Sequence, residues 1–191
     1  MRYPATRTRR WSRVEYERLI DLGVFKPGER LELLDGLLVV RERQNAPHAT
    51  AVRAVQEALR VAFGGQWDVR PRLPIALDDD SEPEPDVSVV RGSFRDYRGG
   101  HPARPVLVVE VADTTPASDR RKGGLYARAG VDEFWIVNVY DDVLEVHRRP
   151  ETTPSTRFRW TYGELRMLRR GDVVTPLAAP NARIDVEDLL A

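Results

Sequence analysis

Pro105-Val106-Leu107-Val108-Val109-Glu110-Val111 is the stretch whose reading decides the fold. It is almost continuously apolar, the pattern of a strand covered on both faces rather than one with a wet side. Upstream, Asp86-Val87-Ser88-Val89-Val90 forms a second strand-like run behind Pro85. Downstream, Ala117 to Ala129 reads as a helix closing on Gly130, with Leu125 and Tyr126 among its apolar residues. Glu133-Phe134-Trp135-Ile136-Val137-Asn138-Val139 follows as another buried strand, and Val143 to Arg148 pairs with it across Asp141-Asp142. Strand, helix, strand around a doubly covered centre predicts a sheet with helices packed on it.

Outward from this centre, Ser12 and Glu15 have the spacing of a capping box, which places a first helix at 13–21, ended by Gly23. Two apolar runs flank Asp35-Gly36, Arg30 to Leu34 and Leu37 to Arg41, a strong hairpin signal. Ala51, Ala54, Val55, Ala58, Leu59 and Ala62 recur at helical spacing, predicting a helix over 48–63 that stops at Gly64-Gly65. Trp67 to Val69 and Leu73 to Leu77 are short strand candidates, and Asp78 to Pro85 an acidic loop. Thr156 to Tyr162 and Asp172 to Thr175 read as edge strands, and Val186 to Leu190 as a terminal helix. The expectation is one α/β domain over 1–191, a mixed sheet flanked by helices with an N-terminal helix and β-hairpin. Within it, 1–11 forms a flexible basic arm, 12–148 the core, and 149–191 a β extension with a short helix.

Composition narrows the chemistry. There is no cysteine, which excludes disulfides, thiolate catalysis and Cys-based zinc sites. The three histidines, His48, His101 and His147, are too far apart in sequence for a His-rich zinc site. Gly99-Gly100 and Gly123-Gly124 lack the spacing of a nucleotide-phosphate loop. Basic and acidic side chains balance at 30 each, which argues against a strongly basic nucleic-acid binder but not against a local basic strip. No apolar run approaches the roughly 20 residues of a membrane span, and Met1 to Arg13 has no apolar signal core, so a cytoplasmic protein without a membrane partner is expected.

Glu110 is the anomaly of the central strand. A buried, unpaired carboxylate costs several kcal/mol, so it needs a cation or hydrogen-bond donors. Asp86 stands 24 residues earlier at the head of the preceding strand-like run, and in adjacent strands such positions can bring two carboxylates to one end of the sheet. Two readings stand side by side: an arginine pair at a strand end, or a hard divalent cation such as Mg²⁺, for which two carboxylates and several waters suffice. Lys122 favours the second, because Lys26 is the only other lysine among 30 basic residues. A compact ammonium there can orient a water or neutralise phosphoryl charge; the bland alternative is a surface pair with Asp119 at i, i+3.

The ordered set of motifs resembles a known family. Glu32-Leu33-Leu34-Asp35-Gly36, His48 and Pro85-Asp86-Val87, then Val108-Val109-Glu110-Val111, Asp119, Lys122, Tyr126, Gly130-Val131 and Glu133-Phe134-Trp135-Ile136-Val137, are similar to the Uma-type restriction-endonuclease family over about residues 11 to 148. The resemblance implies a restriction-endonuclease-like, PD-(D/E)xK core. It implies Asp86 and Glu110 as ligands of Mg²⁺ or Mn²⁺, with the Val111 carbonyl facing the metal. In the parent superfamily the lysine stands two residues after the acid. That position is Ala112 here, and Lys122 of the following helix takes the role. Glu32 matches the family's early acid, a third ligand or water-positioning group. The implied activity is hydrolysis of DNA phosphodiester bonds by a homodimer; the alternative is a catalytically silent nuclease-like scaffold that binds nucleic acid or a protein partner. Two residues depart from the pattern: Asp113 stands where a serine is usual, and Asn138 where an aspartate is frequent.

Further residues carry open readings. Arg120 and Arg121 flank Lys122 and are candidates for phosphate contact. His48 either caps and packs its helix, contacts a substrate phosphate, or takes part in catalysis. Glu84 lies close enough in sequence to Asp86 to approach a metal. Arg7, Arg9, Arg10 and Arg13 around Trp11 form either an exposed terminus or a strip that tracks a phosphate backbone.

Overall fold

The computed structural model describes residues 8–41, 44–114 and 116–190. Helix α1 (Arg13–Asp21) starts at the expected capping box, with Ser12 and Glu15 each satisfying the other's backbone N–H. Strands β1 (Leu31–Leu34) and β2 (Leu37–Val40) form the expected hairpin. Its turn has φ of 51° at Asp35 and 75° at Gly36, the consecutive left-handed pair of the turn that matches strand twist. Gly36 is also a close-approach site, since a Cβ there would lie 2.7 Å from Arg10 Cβ.

Helix α2 (Ala46–Phe63) is capped by the Asn45 side chain, which accepts from the His48 N–H. Capping therefore falls to Asn45, and the His48 imidazole is left for other work. Strand β3 (Trp67–Pro71) runs to Pro71, tolerated because β3 is the edge of the sheet. The strand expected over 73–77 is absent. Arg72 takes a φ of 52°, and Pro74 has no N–H to offer. Ile75, Ala76 and Leu77 instead donate to the carbonyls of Pro83, Pro102 and Ser81.

Strands β4 (Val87–Arg91), β5 (Leu107–Ala112) and β6 (Glu133–Asn138) form the centre of the sheet, with helix α3 (Ala117–Arg128) crossing over between β5 and its parallel neighbour β6. Strand β7 (Val143–Thr152) and strand β8 (Trp160–Leu168) extend it in antiparallel steps, giving the order β3-β4-β5-β6-β7-β8. The central sheet therefore continues past residue 148. A small pair, β9 (Val173–Val174) and β10 (Ile184–Asp185), leads into helix α4 (Val186–Leu189).

All six residues of β5 are buried, and their alternation sorts two cores. Leu107, Val109 and Val111 face a cluster with Val55 and Leu59 of α2, Trp135 and Leu189. Val108 and Ala112 face the other side with Leu125 and Tyr126 of α3, Phe134 and Ile136. Burying a side chain such as Leu59 or Leu125 contributes about 1.5–3 kcal/mol, so β5 is held from both sides. No helix among the described residues is long and apolar enough to cross a membrane.

Of the residues expected to form a basic arm, only 8–11 are described, and these make contacts with the hairpin and with α1. Trp11 donates to the Gly36 carbonyl, Arg10 pairs with Asp35 at 2.6 Å, and Arg13 pairs with Glu17 at 2.5 Å. Arg9 pairs with Glu15 and stacks 4.3 Å above the Trp11 ring. Arg7 lies outside the described residues.

Candidate active site

The sheet register brings the two expected carboxylates together. Strands β4 and β5 pair Val87 with Val109, so one step further out Asp86 lies beside Glu110. On β5, Glu110 takes the side of Val108 and Ala112, beneath α3. Two α3 residues one turn apart reach it: Lys122 Nζ at 3.2 Å and the Tyr126 hydroxyl at 2.6 Å, both on Oε1. Among the described residues its Oε2 has a single long contact, 3.4 Å from the Asp86 N–H.

Asp86 is surrounded by donors. Oδ1 accepts from Gln44 Nε2 at 2.9 Å, lies 3.0 Å from His48 Nε2 and is 3.5 Å from an Arg41 amino group; Oδ2 accepts from the Val111 N–H at 2.9 Å. Val111 thus meets the site through its N–H. Lys122 reaches back from α3 over the strand ends, as expected, and also joins Glu32 of the hairpin, with Nζ 3.1 Å from Oε2. The alternative, a surface Lys122 paired with Asp119, is not what forms: its ion pairs go to Glu32 and Glu110. Glu32 Oε2 is buried and has no hydrogen-bond partner among the described residues despite that close ammonium.

Arg41 completes the cluster and was not foreseen. Directly after β2, it places Nε 2.9 Å from Glu32 and one amino group 3.0 Å from Glu84, and so links both to Asp86. Glu84 lies at the rim, shared with Arg30. One signal could have found Arg41: it ends a short hairpin strand whose partner strand carries Glu32, placing both charges on one ribbon. Gln44 had no such signal, because a neutral donor leaves no charge anomaly in a sequence; Tyr126 stood among the motif residues of the resemblance, but without a role.

The electrostatics are strained in an ordered way. Burial raises the Glu110 carboxyl above its ordinary range; Lys122 opposes this, while Asp86 and Glu32 add to it. Burial acts the same way on Asp86, but the His48 hydrogen bond and charge, the Val111 N–H and Arg41 outweigh it and hold that carboxyl low. Two neighbouring carboxylates are thereby driven apart, one toward the neutral form and one kept ionised. Burial and repulsion from Glu110 lift Asp119 to about 7, against the pull of Lys122. Burial tends to discharge Lys122, but Glu110 and Glu32 overcome this and raise its affinity for its proton.

The two expected phosphate-binding arginines separate. Arg120 directs its guanidinium to buried Glu145, at 3.0 and 2.6 Å, whereas Arg121 is exposed. Asp113 lies 3.9 Å from His48 Nδ1, on the far side of the imidazole from Asp86. Asn138 donates to Asp141 at 2.8 Å and to Glu145 at 3.3 Å. An aspartate there would face two carboxylates with no proton to give.

The family model described as Uma2, "Putative restriction endonuclease", matches residues 13–187. The chain belongs to this family. As an Uma2 protein it also shares its fold with a solved structure described as a putative nuclease belonging to DUF820 from Anabaena variabilis ATCC 29413, with a TM-score of 0.69 and 14% identity over 94% of this chain and 97% of that one. A search of curated proteins gives no match. Family membership supports a nuclease function and a nucleic-acid substrate, and the restriction-endonuclease-like class generally works with divalent metals.

The residues of this Uma2 chain fit such an ion in one particular form. Among the described residues no three His, Asp or Glu side chains form a ready metal cage. What is present is an oxygen donor set, Glu32, Asp86 and Glu110, on which two permanent cations, Arg41 and Lys122, converge. Among the described residues, Glu32 Oε2, ion-paired with Lys122 but without a hydrogen bond, and the weakly bonded Glu110 Oε2 are the oxygens with coordination capacity to spare. A small hard cation that keeps most of its waters suits this set; a fully protein-ligated ion does not.

Proposed function

We propose that the protein is a metal-dependent endonuclease that hydrolyses DNA phosphodiester bonds at the Asp86–Glu110–Lys122 cluster. One observation carries the reading: a buried, surplus-acid centre at adjacent strand ends, with a lysine reaching it from the next helix. Asp86 and Glu110 would hold Mg²⁺ or Mn²⁺, with the Val111 backbone alongside and Glu32 as a third acid. When bound, such an ion supplies Lewis-acid polarisation of a phosphoryl oxygen and a more acidic water.

The chain's own groups do the rest. Lys122, fixed between Glu32 and Glu110, presents a positive charge toward the position where a phosphate gains negative charge. Tyr126 locks the Glu110 carboxylate by its hydroxyl. His48 and Gln44 orient Asp86, which positions His48 as a support for the site and not as a helix cap. Arg41 ties the hairpin to the strand ends, so that Glu32 stays in reach. One centre per chain cuts one strand, so a cut through both strands of a duplex takes two copies, and a homodimer is part of the proposal.

The test is cleavage of plasmid and single-stranded DNA with Mg²⁺ or Mn²⁺, comparing the wild type with Glu110→Ala and Lys122→Ala. Loss of cutting in both variants, with folding intact by circular dichroism, is the expected result. Equal nicking by all three points to a contaminant. Absence of cutting by the wild type on every substrate tried moves the assignment to a silent nuclease-like scaffold.

A further inference from the structure

Beside the catalytic cluster, on the outer side of Lys122, lies a cavity of about 560 Å³ between the hairpin, α3 and the start of β8. Its wall is mainly apolar: Leu37 and Val39 come from the hairpin, Leu125 from α3, and Phe158 and Trp160 from the approach to β8. Arg121 and Arg157 stand exposed at its rim, and Arg120 lines it with its guanidinium fixed by Glu145. Lys122 is shared: it lines this cavity and contacts Glu32 and Glu110. We propose that this cavity is a subsite for the base of an unpaired nucleotide, whose phosphate lies at Lys122; the proposal rests on the nuclease reading.

Each part of that ligand has its counterpart. The volume falls in the range of small-molecule sites, roughly 300–1,000 Å³, enough for one base and its sugar but not for a stacked pair of strands. Two aromatic side chains, in a wall that also carries Ser118, Thr156 and Thr161, provide the flat, sequence-tolerant surface on which bases stack. Arg121 and Arg157 at the opening, together with Lys122, match a phosphate on each side of that base, while Arg120 stays committed to Glu145. The wall is also held in place relative to the chemistry. At Gly124 a Cβ would lie 2.9 Å from the Trp160 carbonyl and 3.2 Å from the Phe158 ring. The aromatic segment therefore sits directly on the helix that carries Lys122, two residues away. Any side chain at position 124 would lift the wall from the helix.

The subsite implies a preference for single strands, or for duplexes in which a base can leave the stack. The experiment is fluorescence anisotropy in EDTA, so that nothing is cut, with a labelled 12-nucleotide single strand, the matched duplex, and a duplex carrying one mismatch. The proteins are the wild type, Phe158→Ala and Val39→Glu. Val39 is partly exposed on the hairpin, so its variant places a negative charge at the cavity mouth without opening the core, and thermal melts check both variants. The expected result is a roughly tenfold loss of single-strand affinity in each variant, the size of one lost base–aromatic stack, with matched-duplex affinity unchanged. A mismatched duplex that follows the single strand identifies an extruded base; one that follows the matched duplex restricts the subsite to single strands. Equal weakening on all three ligands, or no weakening, overturns the subsite while leaving the nuclease reading in place. A wild type that binds none of them overturns the subsite, and the cleavage assay decides the nuclease reading by itself.

Discussion

Two buried charge clusters sit on the same sheet and differ in kind. On β6 and β7, Glu133 accepts from Arg148 at 2.6 and 2.8 Å, from the Trp135 indole at 3.0 Å and from the Leu177 N–H at 2.7 Å. Nearby, Glu145 accepts from Arg120 and Asn138, and these bonds with His147 hold its carboxyl down at about 2 against the upward pull of burial. In both, each buried carboxylate oxygen accepts from at least one donor. At the ends of β4 and β5 the balance fails among the described residues: acids outnumber permanent cations, Glu110 and Asp119 are pushed up, and a buried Glu32 oxygen lacks a hydrogen bond. Satisfied charge fixes structure. Unsatisfied charge, maintained by its surroundings, marks the place where something else must bind.

The largest effect expected is on catalysis. Glu110→Gln should lower cleavage by about 10²–10³-fold or more, the scale of losing one group that stabilises the transition state. Its melting temperature should hold or rise, because the substitution removes a destabilised buried charge while keeping an acceptor for Tyr126. Removing Mg²⁺ with EDTA should match that loss of cleavage in the wild type.

The mirror experiment is Arg148→Ala in the balanced cluster. It strands Glu133, which has no solvent exposure, and should cost about 3–5 kcal/mol. At about 2–4 °C per kcal/mol for a chain this size, the melting temperature should fall by roughly 6–20 °C, with cleavage per folded molecule unchanged. Similar thermal losses from Arg148→Ala and Glu110→Gln would erase the distinction.

The clusters should also respond to pH with opposite sign. Glu145, held low in the folded state, contributes stability above its ordinary value near 4.5 and loses it as pH falls toward about 2. Arg120 is half exposed, so the effect is modest. Asp119, lifted from 3.8 to about 7, binds its proton more tightly when folded. Stability from it is complete below about 4 and declines as pH rises through 7. Asp119→Asn should therefore flatten the fall in melting temperature between pH 5 and 8 in EDTA; an unchanged slope would remove Asp119 from the site's electrostatics. Arg121→Ala is the smallest change: stability within about 0.5 kcal/mol, and a salt dependence of DNA binding shallower by about one phosphate contact.

Much of this was legible in the sequence because it follows from strong local rules. The Asp35-Gly36 hairpin, the Ser12 cap and the doubly buried β5 each have one physical solution. Glu110 was legible as a charge where packing wanted none, and Lys122 as a lysine in an arginine-rich chain. Arg41, one arginine among many, carries no composition signal; only its place on the hairpin that carries Glu32 points to it, and its role depends on that hairpin folding against a distant strand end. The strand read at 73–77 failed for a related reason. Ile75 and Leu77 are buried as a strand would bury them, but their N–H groups find carbonyls in neighbouring loops that no local pattern announces. Arg120 looked like a free phosphate contact until the fold brought Glu145 beneath it.

The central claim, that the unbalanced cluster is a site for a divalent cation, is tested most directly by calorimetric titration of Mn²⁺ into the wild type, Asp86→Asn and Glu110→Gln, each shown to be folded. The account predicts one site per chain in the wild type and its loss, or a weakening of at least tenfold, in both variants. Mn²⁺ binding of equal strength in all three proteins would contradict it.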